Sequence, residues 1–414
     1  MAPNKIGVGI IGTGRRGYSL GMCIAELSEA TDLEIRALCN RTRVRMEETQ
    51  TALLEKYKQK NRTPSIALYE KYEDLIADSA VDLIMIITPQ YVHREHALPA
   101  LRSGKKVFLD KPIAHNLEDA IAIFQEEQKT HNPMIMGFTR RYEDPWIKTF
   151  DLVKNGVIGD VHMMLVRNII PYHTFFHTWH RRMEWSGGVL ADKMSHFFDV
   201  FNWFAESTPE KLSAFGGRAI FLPEKNPPKR CRECDRDCPY RVGQKAQPHR
   251  QDEMVDFNDS RSKETELIKI HDTCVYFPGA DINDHGLVSI VYPNGIKASL
   301  FWSVFGPDIE DQETFEIVGN KGKIVLIRHI GKIDIVSDYG KNHEIMDERK
   351  ESFEASHFGA DYRLAIELDK FSKGKTPVVS GAEGLQAARV VEAAHRSVKE
   401  GGKLILMKDI ENPS

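Results

Sequence analysis

Near its start the chain reads Gly12-Thr13-Gly14-Arg15-Arg16-Gly17, a GxGxxG spacing set between a continuous apolar run at residues 6–11 and a helical pattern at residues 16–27. Alone the spacing describes a glycine-rich turn. Directly after a strand and at the opening of a helix it has a mechanism. Gly12 permits a tight turn, Gly14 lets the backbone approach a diphosphate, and Gly17 allows the helix to pack closely on the strand. The free N–H groups and positive dipole end of the helix then face the phosphates.

The pattern continues as alternation. Apolar runs at residues 33–39, 81–87 and 106–109 are separated by helical stretches at 42–58, 72–78 and 93–103. Strand and helix in turn predict βαβ units and a parallel sheet covered on both faces. Near Met136 the texture changes. Period-two runs follow at residues 162–168, 286–292, 297–302, 314–318 and 323–327, with a hairpin signal at Pro293-Asn294-Gly295. The expected fold class is α/β: an N-terminal Rossmann doubly wound parallel sheet over residues 1–136, then a substrate-binding α+β domain over residues 137–414 with a mostly antiparallel open sheet. A polar, cysteine-containing insertion occupies about residues 222–270, and a helical tail at 382–399 stops at Gly401-Gly402.

The chain has 414 residues, 41% hydrophobic and 28% charged, with a net charge of −4. The size predicts two domains, and the near-neutral charge argues against nucleic acid or an anionic membrane as a partner. No apolar run approaches the roughly 20 residues of a membrane helix. The polar start, Met1-Ala2-Pro3-Asn4-Lys5, reads as lacking a signal peptide, and six cysteines in so long a chain do not form a disulfide scaffold, so a cytoplasmic location is expected.

The second strand ends in Cys39-Asn40-Arg41-Thr42-Arg43. A carboxylate there would bind the adenosine ribose and repel a 2′-phosphate. Asn40, followed by Arg41 and Arg43, leaves NAD or NADP open and leans toward NADP. Two further segments fall at strand tips, where open α/β sheets bind ligands: Thr88-Pro89-Gln90-Tyr91-Val92-His93 and Asp110-Lys111-Pro112. A lysine desolvated beside a nicotinamide ring is suited to proton work. In the second domain Asp192 and His196 stand four apart, so a helix places them on one face, where the carboxylate can fix the imidazole tautomer.

Taken in order, these segments resemble the Gfo/Idh/MocA family of oxidoreductases, which includes glucose–fructose oxidoreductase and inositol dehydrogenase. The resemblance runs through GxGxxG at Gly12, TPQYVH at Thr88, ALRSGKKVFLDKP at Ala100, GFTRRY at Gly137, NGVIGDV at Asn155, the GGVLADKMSHFFD run at Gly187, VGNKGKI at Val318 and the closing stretch from Ser356. It implies that Lys111 contacts substrate and nicotinamide, that Asp192 and His196 form the acid–base pair, and that the open sheet joins copies into a homo-oligomer, a dimer or tetramer. It also matches Arg141 and Tyr142 to an Arg–aromatic pair. Asp110 departs from the family's Glu-Lys-Pro, and Met194 stands where glycine is common.

The implied cofactor-binding set is Gly12, Thr13, Gly14, Arg15, Arg16, Gly17, Asn40, Arg41, Thr88, Pro89, His93, Asp110 and Lys111. Tyr172, His173, Trp179 and His180, from the segment YHTFFHTWHRR, are candidates for a polar substrate pocket. The activity expected is hydride transfer between nicotinamide and a secondary hydroxyl of a sugar, cyclitol or sugar derivative. The alternative is an NAD-dependent glycoside hydrolase or lyase that retains its cofactor and cleaves by transient oxidation and elimination, with Tyr172, His173 or His177 as the extra base. A nonenzymatic nucleotide sensor would need no acid–base set. Cys231-x2-Cys234-x3-Cys238 with Cys274 has the spacing of a tetrahedral structural zinc site, with His249 or His271 as substitutes for the fourth ligand.

Overall fold

The computed structural model describes residues 5–242, 272–348 and 356–411. They divide into two compact units, Met1–Phe150 with Glu348–Ala388 and Asp151–Asp347 with Arg389–Ser414.

In the first unit, β1 (Ile6–Ile11), β2 (Leu33–Cys39), β3 (Ala67–Tyr69), β4 (Leu83–Ile86), β5 (Lys106–Leu109) and β6 (Met134–Met136) form one sheet in the order β3-β2-β1-β4-β5-β6. Every pairing is parallel. The helices α1 (Arg15–Glu26), α2 (Arg43–Gln59), α3 (Tyr72–Ala77), α4 (His93–Arg102) and α5 (Leu117–Thr130) connect the strands, and α6 (Asp144–Lys154) follows. Strands buried on both faces need unbroken apolar side chains, and all four residues of β4 are buried. Chain order reverses between β1 and β4, the switch point of a doubly wound sheet. Ile11 is level with Ile86, and Ile86 with Leu109, so the segments after β1, β4 and β5 leave the sheet at one edge.

The sequence division after residue 136 is linear, whereas the units are not. Ala360, Leu364, Ala365, Leu368 and Phe371 of the Ala360–Ser372 helix are buried in the same core as β1 and α1. The apolar stripe of that helix closes this core from the far end of the chain. The two three-residue strands β3 and β6 lie below what apolar periodicity can detect.

The second unit holds β7 (Val161–Ile169), β8 (Lys211–Gly217), β9 (His285–Val291), β10 (Lys297–Ser303), β11 (Glu313–Gly319), β12 (Lys323–Ile327), β13 (Lys332–Ser337), β14 (Asn342–Asp347) and β15 (Ile405–Leu406). Their order is β14-β13-β12-β11-β7-β10-β9-β8-β15, antiparallel except for β7 beside β10. The side chains alternate. Val288, Ile290, Ala298 and Leu300 are buried, and Phe315 packs against Phe204 at 4.9 Å between ring centroids. On the opposite face Met163, Leu165, Phe215, Leu287 and Phe301 stay exposed. The Gly381–Lys399 helix ends in a turn at Gly401 and Gly402, both at positive φ. No helix among the described residues is long and apolar enough to cross a membrane. Of the polar insertion, residues 243–271 lie outside the described residues, and His249 and His271 with them.

Candidate active site

The glycine turn is shaped by backbone contact. Gly12 has φ +102°, a left-handed conformation that suits glycine, and a Cβ on Gly17 would overlap the Gly12 carbonyl oxygen. Nothing lies within 4 Å of where a Gly14 Cβ would stand, so the side of the turn that begins α1 is open. Gly14 caps that helix, whose first turn carries no acidic side chain to compete with an anion. An open, uncompensated helix N-terminus at the switch point fits the diphosphate of a dinucleotide.

The side chains around the turn have structural partners. Thr13 is buried, and its hydroxyl accepts from the Asn40 amide at 2.9 Å, while the Asn40 carbonyl accepts from Thr42 N–H at 3.0 Å. Arg15 and Arg41 are exposed. Arg43 pairs with Glu47 at 2.9 Å and Glu70 at 3.8 Å. Arg16 turns inward, donating to Asp110 at 3.2 Å and pairing closely with Asp361, which is fully buried. Burial works against the Arg16 charge, but Asp110 and Asp361 outweigh it and hold its pKa above the ordinary value.

At the tips of β4 and β5 a single imidazole organises two loops. His93, only 1% exposed, has Nε2 2.9 Å from Thr88 O and Nδ1 2.9 Å from Pro112 O. Burial is the leading cause that lowers its pKa, and the two ring nitrogens tie the loops to each other through backbone carbonyls. The Thr88 hydroxyl meets His96 Nδ1 at 3.0 Å. Pro89 begins the turn that enters α4. Asp110 accepts from Lys111 N–H at 3.0 Å, and the Lys111–Pro112 bond is cis. Lys111 is half-buried at the sheet edge shared with Thr88 and the glycine turn.

In the second unit, the helix expected to carry Asp192 and His196 is not regular. Leu190–Met194 is a π-helical turn, which then runs into an α-helix at Ser195–Ala205. Such wide turns occur mostly where a site needs side chains re-aimed. Asp192 is half-buried, while His196 is 5% and Asp199 1% exposed. Lys193, which sequence reading passed over, is also buried, with its ammonium 4.7 Å from the centre of the Tyr172 ring. The segment around Tyr172 is thereby joined to the π-turn. Trp179 stacks on His180 at 3.8 Å, and His180 on Phe175 at 4.9 Å. His180 Nδ1 contacts the Thr178 hydroxyl at 2.7 Å. His173 Nδ1 lies 3.3 Å from His177 Nε2, and His177 is fully buried against Thr273 O at 2.7 Å and Tyr240 O at 2.9 Å.

Cys231, Cys234, Cys238 and Cys274 line one cavity of about 230 Å3. All four are free thiols. Burial raises the Cys231 pKa to about 11, and Cys274 and Cys238 push it the same way. Among the described residues no three thiol, imidazole or carboxylate groups are positioned to hold a metal ion. Cys23 and Cys39 are core thiols of the first unit, each pushed up to about 12 by burial.

Residues 6–138 match the profile of the oxidoreductase family's NAD-binding Rossmann fold, and residues 151–406 match that of its C-terminal alpha/beta domain. The chain belongs to the Gfo/Idh/MocA oxidoreductase family. Among relatives, it is 24% identical over 368 residues to the oxidoreductase YteT of Bacillus subtilis, covering 82% of this chain and 85% of that protein. It is 29% identical over 145 residues to the inositol 2-dehydrogenase of Corynebacterium glutamicum, a match of 35% of this chain and 41% of the other. A levoglucosan dehydrogenase solved with NADH and levoglucosan shares the fold, with a TM-score of 0.76 at 14% identity, covering 97% of this chain and 99% of that one.

Within this family frame, Asp361 is the group that motif reading left out as a site residue. It lies inside the closing stretch that carries the resemblance, but its partner Arg16 is 345 positions away, and no local signal connects them.

Proposed function

We propose that this oxidoreductase transfers a hydride between a nicotinamide and a secondary hydroxyl of a sugar, cyclitol or sugar derivative. The turn from Gly12 to Gly17 and the N-terminus of α1 hold the diphosphate, with Thr13, Asn40, Arg41, Thr88, Pro89 and Asp110 shaping the rest of the cofactor cleft. NAD, when bound, supplies the hydride acceptor or donor. Lys111 hydrogen-bonds the reacting hydroxyl. His196 takes the hydroxyl proton on its imidazole, and Asp192 orients that ring and stabilises its charge. Tyr172, His173, Trp179 and His180 receive the remaining hydroxyls.

The contact between Lys193 and the Tyr172 ring carries the reading, because it joins the π-turn of Asp192 and His196 to the aromatic, imidazole-rich segment within one unit. NAD is favoured over NADP, since Arg43, the second of the two arginines after Asn40, is paired with Glu47 and Glu70. A homo-oligomer through the open sheet belongs to this reading and is supported by Phe215, Leu287 and Phe301. These lie level on β8, β9 and β10 and form an exposed apolar row for a second copy to cover. Six free thiols suit a reducing cytoplasm. A structural zinc on the four clustered thiols belongs to the same reading.

The test is purification followed by assay with NAD against a panel of polyols that includes inositol and levoglucosan. NADH formation with at least one of them is expected, and failure with all of them rejects the proposal. Cleavage of a glycoside without net NADH would establish the elimination route instead. Of the three bases that route requires a choice among, His177 is walled in by two carbonyls, which leaves Tyr172 and His173.

A further inference from the structure

The four clustered thiols are brought together by ordered backbone. Arg230 and Thr273 form an antiparallel bridge, flanked by Cys231 N–H donating to Asp272 O at 2.7 Å and Cys274 N–H donating to Lys229 O at 2.9 Å. Cys231 and Cys274 therefore come from two paired segments. Cys234 follows through one tight turn, with its N–H on Cys231 O at 3.2 Å. Cys238 opens another, its carbonyl accepting from Arg241 N–H at 3.1 Å. One thiol from each side of a small ribbon, and two more from successive turns, is the donor layout of a tetrahedral soft-metal site.

Two carboxylates at or beside this cavity are paired with arginines. Asp272 faces Arg230 at 3.3 Å and Arg232 at 2.7 Å, and Glu224 faces Arg236 at 2.6 Å. His177 directs both ring nitrogens at carbonyls, and Cys231 Sγ lies 3.8 Å from its Nδ1. The four thiols are the matched set of soft donors at this cavity. The thiols do not yet surround a common point, so metal binding must draw them inward across the cavity they share.

We infer that Cys231, Cys234, Cys238 and Cys274 bind one zinc ion, and that this ion clamps the segment at residues 172–182. Binding replaces four S–H bonds by four Zn–S bonds and releases four protons, with no change of oxidation state. The clamp acts through His177. Thr273, next to Cys274, donates its N–H to His177 O at 3.2 Å and offers its carbonyl to the His177 ring at 2.7 Å. Tyr240, two residues beyond Cys238, offers its carbonyl to the same ring at 2.9 Å. Metal-ordered turns on one side therefore fix Tyr172, Trp179 and His180 on the other. That these residues form the substrate wall rests on the function proposed above; the clamp itself does not.

The experiment uses the full chain purified under reducing conditions without chelator. Elemental analysis should find one zinc per chain. Exchange for Co2+ should give the intense visible absorption of tetrahedral thiolate coordination, and Cys274→Ser should weaken Co2+ binding by about tenfold or more. Chelation of the wild-type metal should speed amide hydrogen exchange in peptides covering residues 172–182 by on the order of tenfold, leave residues 6–17 unchanged, and be reversed by Zn2+. Chelating the wild type keeps the test valid if the serine variant fails to fold. Absence of bound metal, with no Co2+ uptake, overturns the site. Stoichiometric metal whose removal leaves exchange at 172–182 unaltered overturns the clamp. Neither result depends on finding a substrate, so failure here is distinguishable from failure of the polyol assay.

Discussion

In the first unit His93 lies between Thr88 O and Pro112 O, and in the second His177 lies between Thr273 O and Tyr240 O. Both imidazoles are buried, both have a lowered pKa with burial as the leading cause, and each ties two loops through backbone carbonyls. What they tie differs. The loops around His93 leave adjacent strands of a parallel sheet, whose register already fixes where they emerge. Those around His177 come from segments whose described residues are rich in turns and share one isolated β-bridge, Arg230 with Thr273. A sheet edge can position a site by itself, whereas an irregular segment needs cross-links, here the buried imidazole and, on the inference above, a metal held by the four thiols.

The largest effect expected from this contrast is on turnover. The proposed diphosphate site is the backbone of the glycine turn, so Lys111→Ala should lower kcat by about 10^2–10^4-fold while the NAD dissociation constant moves little. Single-turnover kinetics and cofactor titration check the split. Equal loss of NAD binding would mean that side chains hold the cofactor after all.

The buried imidazoles make the first unit acid-sensitive. His96 is held down to about 3 by burial, with His93 and Arg41 adding. Its folded pKa is depressed, so the neutral ring's contribution is complete above the unfolded value of about 6.5 and is lost as pH falls toward 3. That amounts to about 5 kcal/mol. His96→Gln should flatten the stability profile across that window, as read by denaturant melts at stepped pH.

Asp361→Ala removes a fully buried carboxylate that faces the Arg16 charge, and should destabilise the chain by about 3 kcal/mol. Thermal unfolding with and without NAD measures it. A change below about 0.5 kcal/mol would show that Asp110 suffices.

The comparison itself is sharpened by paired variants. His93→Ala should raise KM for NAD by about tenfold with KM for the polyol unchanged, and His177→Ala should do the reverse. If either variant moves both constants equally, the two clamps are not separate devices. The smallest effect belongs to Arg41→Ala, which should raise KM for NADP by about threefold and leave KM for NAD alone. A larger change would restore the preference for NADP that Asn40 and the two arginines suggest in sequence.

Much of the first unit could be read directly. Lys106–Leu109 has the bounds its apolar run predicts, and Leu33–Cys39 likewise. The strands β14 and β15 escaped, because exposed or two-residue strands at a sheet's margin carry few of the alternating apolar residues that announce them; β8 and β13 escaped although they alternate, burying Leu212 with Ala214 and Ile333 with Ile335. At the candidate site the chain named Asp192 and His196 and passed over Lys193 between them, because a lysine in a helical pattern reads as solvated until a neighbour buries it.

The glycine turn, the βαβ alternation and the chemical identity of the candidate groups are written in the order of residues. These depend on residue type and on repeats of two to four positions, which a chain carries whatever its partners. That Asp361 reaches Arg16, that Leu190–Met194 widens into a π-turn, that the Ala360–Ser372 helix completes the first core, and that four scattered thiols share one cavity came from the folded molecule. Each depends on which surfaces meet in space, and packing among distant segments leaves no periodic trace along the chain.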